Sequence, residues 1–164
     1  MTQIVLIAHN VRSAHNIGSI MRSAEGLGID ELFLSGYSPY PPIKNDTRPP
    51  HIRRQVLAKI SKTSLGAENS LKWRYCQDIL PIIVKLKAQD FTIAALEQTA
   101  DSVDLPSYKS SARVALIVGN EISGIDENVL RTADISLEIP MAGKKESFNV
   151  AQAAAMALYH LKYV

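Results

Sequence analysis

The sequence predicts an α/β domain, a mostly parallel sheet with helices on both faces. Short apolar runs recur at residues 3–8 (QIVLIA), 31–35 (ELFLS), 91–96 (FTIAAL), 113–118 (RVALIV) and 135–139 (ISLEI), the length expected of strands buried on both faces. Segments with helical spacing of apolar residues lie between these runs. The 164 residues, 46% hydrophobic and 21% charged, suit one domain spanning 1–164 with a core of its own.

Residues 3–8 lead through a polar loop, 9–16, into a helix with Ile17, Ile20, Met21, Ala24 and Leu27 as its inward stripe. Asn16 is the expected N-cap, and Gly26 with Gly28 the stop. Arg22 lies off the stripe, and Gly18, one turn earlier on the same face, leaves room for a bulky group beside the guanidinium. An arginine so placed reads either as a solvated surface residue or as a binding group. After the strand at 31–35, residues 36–50 hold Pro39, Pro41, Pro42, Pro49 and Pro50, so an extended or mobile excursion is expected there. Basic residues gather over 44–62: Lys44, Arg48, Arg53, Arg54, Lys59 and Lys62, against Asp46 as the one acid, with Tyr37 and Tyr40 just upstream. Such a cluster is either a solvated face or a grip on RNA.

A short strand is expected at 70–75, a helix at 77–89 and a polar connection at 97–111. The run at 113–118 leads straight into Gly119-Asn120-Glu121-Ile122-Ser123-Gly124-Ile125, whose glycines permit a tight loop close to a ligand. A short helix follows at 126–132. Beyond the strand at 135–139 a polar loop precedes a helix marked by Val150, Ala153, Ala154, Ala157, Leu158 and Leu161, with Ser147 in the N-cap position. Its small side chains allow close packing. Open parallel sheets bind ligands beyond the carboxyl ends of their strands, here Ala8, Leu96, Val118 and Ile139. Asn16, Arg22, Glu121, Ser147 and Asn149 therefore converge on one edge as candidate site residues.

Several classes are excluded. No apolar run reaches the length of a membrane span, and residues 1–4 lack the basic start of a signal peptide, so a cytoplasmic protein is expected. Cys76 is the single cysteine and the four histidines show no paired metal spacing, so no metal site is expected. A net charge of +2 permits nucleic-acid binding without demanding it. There is no G-x-G-x-x-G after the first strand, no P-loop and no G-x-S-x-G elbow. Composition and spacing alone lead to a nucleotide-binding α/β domain of open chemistry.

Three motifs add more. Asn16-Ile17-Gly18 with Arg22, then Val118-Gly119-Asn120-Glu121-Ile122-Ser123-Gly124, then Ile139-Pro140-Met141 with Ser147-Phe148-Asn149-Val150, resemble in order the motifs of the SpoU/TrmH family of the SPOUT superfamily of RNA methyltransferases. Phe148 stands where leucine is commoner in that family, and Asn120 where proline is common. The resemblance implies a C-terminal deep trefoil knot, S-adenosylmethionine as cofactor, and a homodimer with the active site at its interface. The implied reaction is methyl transfer to a ribose 2'-hydroxyl of RNA. Arg22 becomes the catalytic arginine, with Asn16, Glu121, Ser147 and Asn149 positioning it and the ribose. Leu96, Gly119, Ile139, Met141, Ser147 and Phe148 would hold the cofactor. Arg48, Arg53, Arg54, Lys59 and Lys62 are the candidates for RNA contact. With no separate RNA-binding domain apparent, transfer RNA is favoured over ribosomal RNA. The alternatives are a ribosomal RNA methyltransferase, a knotted protein that binds RNA and cofactor without turnover, and an unrelated nucleotide-binding domain.

Overall fold

The computed structural model describes residues 2–164. Along the chain run β1 (Gln3–His9), α1 (Ala14–Gly26), β2 (Glu31–Ser35), α2 (Pro50–Ser64), α3 (Ala67–Ser70), β3 (Trp73–Cys76), α4 (Leu80–Lys87), β4 (Thr92–Leu96), β5 (Val103–Asp104), a 3-10 turn (Leu105–Ser107), β6 (Arg113–Val118), α5 (Glu127–Leu130), β7 (Ile135–Glu138) and α6 (Val150–Tyr163). The strands form one seven-stranded sheet in the order β3-β2-β1-β6-β4-β7-β5. Every neighbouring pair is parallel, as the double burial of the apolar runs required.

Alternation along β1 assigns the helices to faces. Ile4, Leu6 and Ala8 pack in a cluster with side chains of α1, α2, α3 and α6, whereas Val5 and Ile7 pack with those of α4 and α5. The alanine-rich stripe of α6 is used inside the chain: Ala151, Ala154, Ala157, Leu158 and Leu161 are buried in the same cluster as α1. Small side chains let this helix lie close over the middle of the sheet.

Four element boundaries differ from expectation, each for a local reason. Helix α1 is capped by Ser13, whose hydroxyl accepts from the Asn16 N–H at 3.2 Å, so Asn16 falls in the first turn and its side chain is released for other bonds. Helix α6 is capped by Asn149, whose Oδ1 accepts from the Ala151 N–H at 2.9 Å, two residues after the expected Ser147. Helix α4 begins only at Leu80, with Pro81 in its first turn, and ends at Lys87. The strand expected at 70–75 is shifted to Trp73–Cys76 because α3 occupies residues through Ser70.

Helix α2 departs from expectation, since apolar periodicity predicts no element over 51–69 and the basic cluster is expected in a loop. Pro50 presets the first turn, but only Ile60 and Ser64 of the helix are buried, so its apolar periodicity is weak. The excursion before it is folded, not extended. The Arg48 guanidinium pairs with Asp46 (Nη2 to Oδ2 2.6 Å, Nε to Oδ1 2.9 Å), donates to Tyr40 O at 3.0 Å and lies 3.6 Å over the Tyr40 ring. That ring stacks on Tyr75 with centroids 3.8 Å apart. Arg48 holds the Asp46 carboxyl well below the usual carboxylate range, with burial opposing the shift.

Gly18 also has a different use from the one expected. A Cβ there would lie 2.1 Å from Thr63 Oγ1 and 2.2 Å from Ile60 O, so the missing side chain admits α2, with Thr63 Oγ1 donating to His15 O at 2.8 Å. Glycine to alanine inside a helix ordinarily gains up to about 1 kcal/mol. At this crossing we expect Gly18→Ala to lose about 1–3 kcal/mol by overpacking, read as a lower midpoint of urea denaturation; a raised midpoint would mean that α2 is not seated on Gly18.

Candidate active site

The loops after β1, β4, β6 and β7 meet at the carboxyl edge of the sheet, and hydrogen bonds between them build the site. The loop following β6 folds back on itself through the pairs Asn120 N to Gly124 O (3.0 Å) and Gly124 N to Asn120 O (3.1 Å). Gly124 has φ +70°, and a Cβ there would lie 2.3 Å from Glu97 Oε2. That close approach lets Glu97, just after β4, accept from the Ile125 N–H at 2.9 Å. Asn120 closes the turn from inside, its Oδ1 accepting from the N–H groups of Ile122 (2.8 Å) and Ser123 (2.9 Å).

Glu121 then reaches the amino end of α1. Its carboxylate accepts from Arg12 N at 2.8 Å, Ser13 N at 3.0 Å and Asn16 Nδ2 at 2.8 Å. Burial opposes ionisation, but these bonds, led by Arg12 and Asn16, hold the carboxyl below its ordinary value. The amino end of a helix also favours an anion. Asn16 in turn accepts through Oδ1 from Asn149 Nδ2 at 3.2 Å, and Asn149 caps α6. A continuous chain, Glu121 to Asn16 to Asn149, thus ties the loops after β6, β1 and β7.

Beside it lies a cleft of about 180 Å³. Five of the six residues expected to hold a cofactor line it: Leu96, Gly119, Ile139, Ser147 and Phe148. Met141 does not; it is half-buried outside the lining. Glu97, Gln98, Glu138 and Glu146 belong to the cleft and went unnoticed in the sequence. Glu97 had a signal, a carboxylate directly after a buried strand, where a ligand edge is expected.

Of the expected catalytic residues, Asn16, Glu121 and Asn149 are joined directly and Ser147 stands on the cleft wall. Arg22 is exposed and separate, about 9 Å along α1 from Asn16. It makes no hydrogen bond or ion pair among the described residues. Arg48 is committed to Asp46 and Tyr40, which removes it from the free basic surface; Arg54, Lys59 and Lys62 are exposed on α2 and Arg53 half-exposed. His9 is packed rather than poised: Nδ1 lies 2.8 Å from Ser35 Oγ and burial pushes its pKa down against the pull of Asp126. Burial likewise pushes the Cys76 thiol up to about 11, leaving it protonated. No group of three or more potential metal ligands occurs among the described residues. No helix of the described residues is long and apolar enough to cross a membrane.

Glu121→Gln would set an amide against three convergent donors and should cost about 1–2 kcal/mol at pH 7. Because the folded pKa is depressed, the carboxylate's contribution is complete above the ordinary glutamate value of about 4.3 and is lost as pH falls through the folded value. Urea denaturation should therefore show the gap between wild type and variant narrowing below about pH 4. A gap independent of pH would rule out the charge as its cause.

Comparison with known proteins agrees with this architecture. A sequence profile of the SpoU rRNA Methylase family matches residues 3–159. The chain is 32% identical over 162 residues to a protein of Bacillus subtilis named 23S rRNA (guanosine(2553)-2'-O)-methyltransferase RlmP, covering 96% of this chain and 57% of that one. It is 27% identical over 160 residues to the tRNA (guanosine(18)-2'-O)-methyltransferase of Aquifex aeolicus, covering 95% and 67%. The solved structure of the SpoU methyltransferase AviRb from Streptomyces viridochromogenes in complex with the cofactor AdoMet superposes with a TM-score of 0.78 at 25% identity, over 97% of this chain and 56% of that one. The chain spans 50% of the length of other curated relatives that it matches, so it corresponds to a part of those proteins. With the profile covering nearly the whole sequence and the motif residues Asn16, Glu121 and Asn149 joined in one network, this chain belongs to the SpoU methylase family.

Proposed function

We propose that this chain is an S-adenosylmethionine-dependent RNA methyltransferase that modifies a ribose 2'-hydroxyl, acting as a homodimer in the cytoplasm and using residues 1–164 as a single catalytic domain. The observation that carries the reading is the Glu121–Asn16–Asn149 chain, whose Glu121 lines a cleft at the carboxyl edge of the sheet. The cleft fits the cofactor chemically. Leu96, Leu137, Ile139, Phe148 and Val150 offer apolar walls to a flat base, and Glu97, Glu138 and Glu146 place negative charge beside a ligand that carries positive charge. The segment between β7 and α6 would be threaded into the family's knot.

Bound S-adenosylmethionine supplies a methyl group on a good leaving group. What remains for the chain is alignment and charge management. A guanidinium keeps its proton at neutral pH and does not serve as a base there. Arg22 instead grips a substrate phosphate and stabilises charge developing on the attacking oxygen, leaving the proton to phosphate or water. Its position away from the Glu121 network supports a site completed across the dimer interface. Asn16 and Asn149, held in fixed orientation by Glu121 and by the cap of α6, position the ribose, with Ser147 on the cleft wall beside them. Arg53, Arg54, Lys59 and Lys62 of α2 form the RNA-facing surface. Transfer RNA is the favoured substrate, supported by similarity to the Aquifex enzyme; similarity to the Bacillus enzyme supports ribosomal RNA as the second reading.

Methyl transfer from labelled S-adenosylmethionine to RNA of a strain lacking the protein, followed by nucleoside analysis, tests the reading. A 2'-O-methylated nucleoside in the transfer RNA fraction is the expected result; label only in ribosomal RNA would select the second reading, and cofactor binding without label a protein that has lost turnover. Arg22→Ala should abolish transfer while S-adenosylmethionine affinity, measured by calorimetry, stays within about threefold. Arg53→Glu with Arg54→Glu should weaken RNA binding and lower the slope of log affinity against log salt by about 2. An unchanged slope would remove α2 from the interface.

A further inference from the structure

Tyr37 is an exposed aromatic residue on an unusually well pinned turn. Its side chain belongs to a residue 60% exposed, yet the backbone around it is bonded on every side. Gly36 N donates to Cys76 O (3.2 Å), Tyr37 N to Asn10 Oδ1 (3.2 Å) and Ser38 N to Ser35 O (3.3 Å). Tyr75 Oη donates to Gly36 O (2.9 Å) and Ser38 Oγ to Ala8 O (2.9 Å). A single exposed aromatic residue on a surface is ordinary. This one differs because its hydroxyl is already engaged, accepting from Asn120 Nδ2 at 2.8 Å.

Asn120 has all its amide valences in use. Nδ2 donates to Tyr37 Oη and to Asn10 O (3.2 Å), Oδ1 accepts from Ile122 N and Ser123 N, and the residue itself lines the cleft. The Tyr37 hydroxyl therefore touches the residue that shapes the cleft loop. What is left free is the ring, held at fixed orientation with little rotamer freedom to lose, next to the excursion that leads into the basic helix α2. A rigid, solvent-facing ring is a surface on which an unpaired base stacks.

Resting on the RNA methyltransferase reading, we propose that Tyr37 is a stacking platform for a nucleobase of the bound RNA. Its hydroxyl makes it a positioning residue as well: through Asn120 it transmits engagement of the RNA to the wall of the cofactor cleft. Ring and hydroxyl thus carry separable roles, the ring RNA affinity and the hydroxyl the coupling between RNA and cofactor.

The test measures RNA affinity by fluorescence anisotropy, with and without saturating S-adenosylhomocysteine, for wild type, Tyr37→Ala, Tyr37→Phe and Tyr37→Trp, each checked for an unchanged urea midpoint. Tyr37→Ala should weaken RNA binding about tenfold, within the range for loss of one stacked base, and Tyr37→Trp should restore it, which a purely structural role would not do. Tyr37→Phe should keep the affinity measured without the nucleoside but lose the difference that S-adenosylhomocysteine makes in wild type. Wild-type RNA affinity in Tyr37→Ala, or an intact difference in Tyr37→Phe, would overturn the proposal while wild-type methyl transfer still stood. If wild type bound neither RNA nor S-adenosylhomocysteine, the methyltransferase reading would fall and this role with it.

Discussion

The Glu121 carboxylate is the constraint on which the rest of the site depends. It sits at the amino end of α1 with three donors aimed at it, two of them backbone N–H groups of Arg12 and Ser13. Those N–H groups precede the helix and have no intrahelical partner, so the carboxylate supplies what the backbone lacks. In return the loop after β6 is fixed against the loop after β1, and the amide of Asn16 is turned so that its oxygen faces Asn149. One charged group thereby sets the orientation of two neutral ones. Because hydrogen bonds to a charged acceptor are stronger than neutral pairs, the sequence of bonds has a firm end.

This arrangement is possible only because the sheet beneath it is rigid. β1 and β6 are neighbours with six paired residues from Gln3 opposite Arg113 to Ala8 opposite Val118, so the two loops leave the sheet side by side. β4 flanks β6 on its other side and brings Glu97 to the same loop. The crossover in strand order places chain segments more than 100 residues apart at one edge, Asn16 and Asn149 among them. Helix α6, packed over the sheet by its alanines, fixes the direction from which Asn149 arrives.

The basic segment divides by the same logic of partners. Arg48 has a carboxylate, an aromatic face and a carbonyl around it, and serves to fold the proline-rich excursion. The arginines and lysines of α2 have no such partners among the described residues, and Arg54, Lys59 and Lys62 are exposed. Residue type alone does not separate these two uses.

Read alone, the sequence determined the α/β class, five of the seven strands to within a residue or so, the inward stripes of α1 and α6, and the edge where Asn16, Glu121, Ser147 and Asn149 gather. These depend on periodicity and on strand ends, which are local. It did not reveal α2, whose burial amounts to little beyond Ile60, or the two-residue β5, which exists only because β7 lies beside it. Nor could it assign the caps, since Ser13 and Asn16, or Ser147 and Asn149, are equally good capping residues until the chain's path is known. The use of Gly18 to seat a second helix, the stacking of Tyr40 under Arg48 against Tyr75 and the bond from Tyr37 to Asn120 were decided by tertiary structure, because each depends on a partner distant along the chain whose approach no local pattern encodes.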